Sequence, residues 1–358
     1  MIFTFTLIAM LVCFWWLWGA NYYIPPHWLF TLVLSIQLAF MVGAFSIPFA
    51  SFMLALTIPA TLGMYRFSEQ CNPMQDAEQL RTVVTLWGLQ IVFIVINQQW
   101  INNIYDVLPL VIISDGLFKL IPERFRKVTT VGGVKHTLYG ITGNFSTTAT
   151  TLSILYAVVL THDYPYYQKE LCTISLIWSL YNNKATAGML GALGSAGLFL
   201  LWKQYYGLLG GLILIAGFIL VKYQKKLIGF GADLGSGRID IWKDSLALIR
   251  TKEQQWFGIG NGAYKFLMPF TTQQLRGQGN RRVTIWAHND LLQFYVESGR
   301  VGIILLVYLL GFMLPHFGWT EWIIFVGLLP NLIFNFPLRL ASTATFIVII
   351  MKNFYLNH

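Results

Sequence analysis

Apolar runs long enough to cross a bilayer follow one another almost from end to end of this chain, and that succession limits the fold more than any motif does. A segment surrounded by hydrocarbon must satisfy its backbone N–H and C=O groups internally, which leaves helices or a closed barrel. Runs of about 20 residues have the length of a spanning helix. Ile2 to Ala20 is the first, ended by Asn21-Tyr22-Tyr23-Ile24-Pro25-Pro26-His27 with aromatics at interface depth and a proline break. Trp28 to Tyr65 is too long for one crossing and divides near Gly43 to Pro48. Thr82 to Ile96, Ile104 to Ile121, Asn144 to Leu160, Leu171 to Tyr181, Ala185 to Trp202, Tyr206 to Val221, Leu291 to Leu314, Trp319 to Phe336 and Leu340 to Met351 complete a set of about twelve. With 56% hydrophobic and 11% charged residues, the composition argues against a soluble globule. The expected fold is all-α, a polytopic integral membrane protein with a single transmembrane domain over residues 1–358. No basic side chain precedes the first run and no small-residue cleavage pattern follows it, so a retained helix is expected there.

The polar residues are concentrated in a few connectors. Arg66 to Arg81 is one, and its Asp76-Ala77-Glu78 reads as a solvated turn rather than a metal site. Pro122 to Gly143 is another, carrying Arg124, Arg126, Lys127 and Lys135, a cluster suited to lipid headgroups or to phosphate. Cys13, Cys71 and Cys172 are far apart, which suggests neither a disulfide framework nor a zinc site. The net charge of +9 fits anionic lipid, nucleic acid or a phosphate-bearing substrate, so the position of the charges has to decide.

The longest polar stretch runs from Gly235 to Gly302. It opens with Gly235-Ser236-Gly237-Arg238, passes Trp256-Phe257-Gly258-Ile259-Gly260-Asn261-Gly262, and closes with His288-Asn289 followed after nine residues by Gly299-Arg300-Val301-Gly302. Ile239, Trp242, Leu246 and Ile249 fall on one helical face opposite Asp240, Lys243 and Asp244, so an amphipathic helix lying on the membrane surface is expected. The closing pattern resembles the signature of the O-antigen ligase family, whose relatives include O-antigen polymerases and bacterial O-linked oligosaccharyltransferases. Arg238 with Trp242, then Gly258-Ile259-Gly260, is similar to that family's Arg, Trp and Gly-x-Gly series upstream of the His. Gly143-Asn144-Phe145-Ser146 resembles its Gly-Asn-Pro-Asn turn without the proline and second Asn. Asn182-Asn183-Lys184 stands where family members commonly have Ser-Arg. The resemblance covers residues 143–302, including a loop at 222–290.

That resemblance implies a fold of the glycosyltransferase C type with one long periplasmic loop, in a bacterial inner membrane, multi-pass, with its active site on the periplasmic face. It implies a metal-independent, inverting glycosyltransferase without a cofactor. An oligosaccharide or polysaccharide would leave undecaprenyl diphosphate and join a hydroxyl of lipid A core or of another glycan. Ligase, polymerase and protein O-oligosaccharyltransferase share that donor, and the sequence leaves them open. A lipid or sugar transporter would show repeat halves or Gly/Pro-interrupted spans in matching positions, and the sequence has neither. Partners other than substrates are membrane lipids, and no nucleic acid is expected.

Such a reaction asks for cations on the departing diphosphate and a base near the attacking hydroxyl. Arg238 is the first candidate cation, because guanidinium is always charged and grips phosphate oxygens in pairs. Lys184, Arg124, Arg126 and Lys135 are secondary ones, with Lys184 keeping the charge but losing the fork. His288 stands just before an apolar helix, where the partial positive charge of the terminus favours the neutral ring that can accept a proton. Asn289 could orient that ring or bind sugar hydroxyls. Gly299 and Gly302 would let neighbouring helices approach, and Glu297 is expected to pair with Arg300. Gly258, Gly260 and Gly262 form a tight turn without the spacing of a dinucleotide fingerprint, and no metal is expected. Twelve spans from a cytoplasmic start put the Arg238 to His288 loop outside. Arg66, Arg81, Arg124, Arg126, Lys127 and Lys135 also fall outside, against the usual bias of short loops. Either a donor diphosphate requires them there or one span is miscounted.

Overall fold

The computed structural model describes residues 27–69, 73–122, 125, 127–129, 135–137, 145–183, 186–211, 213, 238–265, 267–268, 287–334 and 341–357. Ile2 to Ala20 and most of Tyr206 to Val221 lie outside these residues. The helices are α1 (His27–Gly43), α2 (Ile47–Glu69), α3 (Pro73–Val95), α4 (Gln98–Phe118), α5 (Phe145–Thr161), α6 (Tyr166–Asn183) and α7 (Thr186–Trp202). They are followed by the short α8 (Arg238–Leu246) and α9 (Lys252–Phe257), and then by α10 (Asp290–Met313), α11 (Trp319–Phe334) and α12 (Ala341–Asn357).

Local chemistry sets the helix starts. The long apolar run after Trp28 turns at 44–46, where the N–H groups of Phe45 and Ser46 both bond the Val42 carbonyl and Ser46 Oγ accepts from Phe49 N at 3.3 Å. Asn97 starts α4 by accepting from Trp100 N at 3.0 Å, so this helix begins six residues before the apolar run that marks it in the sequence. The connector expected over Arg66 to Arg81 is instead largely helical: α2 runs on to Glu69 and α3 already begins at Pro73. Proline suits a first helical position and the following Met-Gln-Asp-Ala-Glu-Gln-Leu favours helix, so α3 extends beyond its apolar part and takes Asp76 and Glu78 with it. The connector at 122–143 also differs from a purely all-α expectation. It holds a two-stranded antiparallel ladder, β1 (Lys127–Thr129) on β2 (Lys135–Thr137), with Val128 opposite His136.

Two apolar packing groups share α12. One joins α4, α5, α6, α7 and α11 around a helix α5 whose residues Thr148 to Leu160 are all buried. The other joins α1, α2, α3 and α10. Small residues permit a close approach between α7 and α11: a Cβ on Gly191 would strike the Gly327 carbonyl, and one on Gly194 would meet Val326 at 2.8 Å. Polar side chains fasten α5 to its neighbours. Thr150 donates to Asn331 at 2.9 Å, Asn331 to Ser153 at 2.9 Å, and the Thr151 and Thr343 hydroxyls meet at 2.8 Å. α4 and the 290–316 segment are long and apolar enough to cross a membrane, and several shorter helices are apolar. Outward-facing Leu110, Leu117, Ile174 and Ile177 are exposed, as suits a lipid surround.

The polar stretch has its own small core of Leu248, Ile259, Ala263, Tyr264, Met268, Ala287 and Val296. α8 packs on it through Ile241 and Ser245, which leaves part of its apolar stripe free for the membrane surface expected from the sequence. Asp244 and Ser245 are buried, with Ser245 Oγ 2.6 Å from the Tyr264 hydroxyl, while Ile239 and Leu246 remain exposed.

Candidate active site

Helix α10 is broken at Gly299, whose φ of 65° and ψ of −162° belong to a region that only glycine occupies at little cost. The turn that precedes a helix end leaves carbonyls without partners in the helix itself. Here the carbonyls of Val296 and Glu297 accept from the N–H groups of Ile259 and Gly260, each at 3.0 Å. The Gly-x-Gly-x-Gly loop is thus laid against the break in the membrane helix. Contact is too close for side chains. A Cβ on Gly258, at φ 74°, would overlap the Glu297 carbonyl group and lie 2.5 Å from Ser298 N, and one on Gly299 would overlap the Trp256 carbonyl and lie 2.6 Å from Gly258 N. Gly299 therefore admits the end of α9 and the loop that follows it, in line with the close helix approach expected from the sequence. Gly302 departs from that expectation: the atoms nearest a Cβ there belong to Ser298 and Phe294 of its own helix.

Two turns into α10 the same loop is held by a side chain. Glu297 is fully buried, and its Oε1 accepts from Gly262 N and from Gln293 Nε2, both at 3.3 Å. The expected partner, Arg300, is exposed and lies with its guanidinium 5.3 Å from the Trp256 ring centre, a cation–π arrangement. Gln293 Oε1 accepts from Ala287 N at 3.1 Å, and the Ala287 carbonyl accepts from Trp242 Nε1 at 3.0 Å. Both backbone polar groups of the residue before His288 are therefore fixed.

His288 itself is half-buried and left-handed, with φ 53°. A non-glycine residue held there costs about 1–2 kcal/mol relative to ordinary backbone. Asn289 follows as the N-cap of α10, its Oδ1 accepting from Leu292 N at 2.8 Å. That oxygen is committed to the helix, which leaves the Asn289 amide nitrogen for any substrate contact.

Beside this helix start lies a cavity of about 370 Å³. Phe49, Met53, Leu86, Leu89, Val348 and Met351 form an apolar wall. Arg81, Lys265, Asn261, Asp290, Gln293 and Glu297 contribute polar groups. His288 is two residues from Asp290 along the chain. Of the residues singled out in the sequence, the structure gathers His288, Asn289, Gly258, Gly260, Gly299 and Gly302 into one region. Arg238 is the first residue of α8, whose Trp242 reaches Ala287. Lys135 lies in β2, while Lys184, Arg124 and Arg126 lie outside the described residues. Arg81, Lys265, Asp290 and Gln293 were not singled out as site residues. Part of the signal was present, since 290, 293 and 297 are polar positions at helical spacing in an otherwise apolar run. Arg81 and Lys265 give no such sign, because only the folded chain brings α3 and the loop to the same cavity.

No curated protein matches the chain. Residues 171–307 match the model of the O-antigen ligase family. The matched segment runs from α6 through the break in α10 and contains Lys184, Arg238, His288 and both glycine clusters. This match supports the O-antigen ligase resemblance over the segment that builds the site, and indicates a glycosyltransferase-type activity of the ligase or polymerase kind.

Proposed function

We propose that the protein transfers an oligosaccharide or polysaccharide from undecaprenyl diphosphate to an acceptor hydroxyl, with ligation of O-antigen to lipid A core as its reaction. The observation that carries this reading is the cavity beside α10, where apolar walls suited to a lipid chain meet the cations Arg81 and Lys265 close to the start of the helix that follows His288. In the reaction, His288 takes the proton of the acceptor hydroxyl as its oxygen attacks the anomeric carbon. The bond from that carbon to the diphosphate breaks, the electron pair leaves with the diphosphate, and the anomeric configuration inverts. Arg238, and with it Arg81 and Lys265, offsets the charge that develops on the leaving group. Attack and departure so arranged require no metal. The site opens on the periplasmic face of the inner membrane, the side on which the loop and the basic connectors would meet the donor.

The test incubates purified protein with undecaprenyl-diphosphate oligosaccharide and, separately, lipid A core, a second lipid-linked repeat unit or an acceptor protein. Glycosylated lipid A core, formed equally well in excess chelator, is the expected result. Elongated glycan alone would assign a polymerase, and glycosylated protein alone an O-oligosaccharyltransferase. Transfer that stops in chelator and returns with a divalent ion would overturn the metal-independent mechanism.

A further inference from the structure

The mechanism above uses His288 but not the groups that hold its backbone. Ala287 is completely buried, its N–H donates to Gln293 Oε1 at 3.1 Å, and its carbonyl accepts from Trp242 Nε1 at 3.0 Å. A backbone N–H can only donate, so Gln293 must turn its oxygen toward Ala287 and its NH₂ toward Glu297. Glu297 Oε1 accepts that NH₂ at 3.3 Å and also accepts Gly262 N at 3.3 Å. Gln293 and Glu297 are 1% and 0% exposed. Backbone amides at its two ends, Ala287 and Gly262, thus set the direction of the bonds through Gln293 and Glu297, and the chain leads from the glycine loop to the residue preceding the proposed base.

We propose that Gln293, backed by Glu297, is a positioning residue that locks Ala287 and thereby holds His288 in its left-handed conformation. Without the lock, a half-buried histidine at φ 53° has an unstrained alternative in ordinary backbone space. A swing of this kind moves the ring by an ångström or more, and a displacement of that size can cost about 100-fold in rate. Gln293 touches no reacting atom in this scheme. Its amide is required because one end must accept and the other must donate at the same time, which neither an apolar side chain nor an ionised carboxylate can do.

The activity half of the test rests on the transfer reading, and the hydrogen-exchange half does not. Two variants of the full chain in lipid nanodiscs, Gln293→Leu and Gln293→Glu, are compared with wild type. In Gln293→Leu, the Ala287 amide is expected to lose about 10-fold or more of its protection against exchange. Turnover falls by about 100-fold. Gln293→Glu places two carboxyl groups against each other, and it can accept from Ala287 and donate to Glu297 only when they share a proton. Relative to wild type, its Ala287 protection and turnover are therefore regained on acidification and lost as the pH rises. A residue that merely fills space has no such pH dependence. Unchanged Ala287 protection in a folded Gln293→Leu, or a Gln293→Glu variant that follows wild type at every pH, overturns the proposal. Should Gln293→Leu fail to fold, Gln293→Glu decides by the same pH criterion. If wild type transfers nothing to any acceptor, the transfer reading fails while the exchange result still decides the positioning role.

Discussion

Arg238 and His288 are separated by 49 intervening residues, and the loop returns them to one neighbourhood through Trp242, four residues after Arg238, and Ala287, one residue before His288. If Arg238 holds the diphosphate in both ground and transition states, Arg238→Ala weakens donor binding and lowers turnover together, and Arg238→Lys rescues only part of each because a point charge replaces a fork. His288→Ala behaves differently: donor affinity, measured with a non-reactive lipid diphosphate, is nearly intact while the rate drops by about 100-fold or more. Wild-type turnover falls on acidification as the ring takes up a proton, and the His288→Ala remnant lacks that fall. A His288→Ala variant with wild-type turnover would rule out the base assignment. The sequence pointed to these two residues because an arginine and a histidine at set distances from glycine pairs form a pattern along the chain. Gln293 was not legible there, because its importance lies in two hydrogen bonds of opposite sense, which only the folded loop brings together.

The decisive element is the broken helix α10 with the glycine loop against it. A methyl group on Gly299 would collide with the Trp256 carbonyl and demand a backbone conformation that alanine rarely adopts, so Gly299→Ala is expected to cost about 3 kcal/mol. The measurement is the midpoint of thermal unfolding in detergent, with a matched drop in the fraction of monodisperse protein. A variant as stable as wild type would mean that the loop does not close on the helix in this way. Apolar periodicity located the starts of α1, α5, α7, α10, α11 and α12 to within one residue but placed those of α3 and α4 too late, because Pro73 and Asn97 set them by a fixed dihedral angle and by capping rather than by hydrophobicity. In α8 the loop core takes Asp244 and Ser245 and leaves Ile239 and Leu246 of the apolar stripe exposed, as suits the membrane-surface helix expected from the sequence.

For the molecule as a whole, the short turns at 44–46, 96–97 and 162–165 alternate along the chain with the 70–72 connection and the strand-bearing connector. Arg81 of α3 meets Lys265 and Asp290 in one cavity, so a basic residue of the first half shares an end of the bundle with the polar stretch. If that end is periplasmic, Cys71 reacts in intact spheroplasts with a membrane-impermeant thiol reagent while Cys13 does not. Labelling of Cys71 only after lysis would reverse the orientation. The break in α10 also bears on how such a chain is made. Two carbonyls near the end of the first half of that helix are met by amides synthesised about forty residues earlier, so a bilayer alone cannot finish this span. Insertion of the tenth apolar run is therefore expected to be coupled to docking of the segment before it, and the order of synthesis suits this, because the amides exist before the carbonyls they meet. A ribosome-bound chain halted just after Met313 would already contain every residue of that junction, whereas one lacking 258–262 would leave the new helix with an unmet polar edge for quality-control proteases to find.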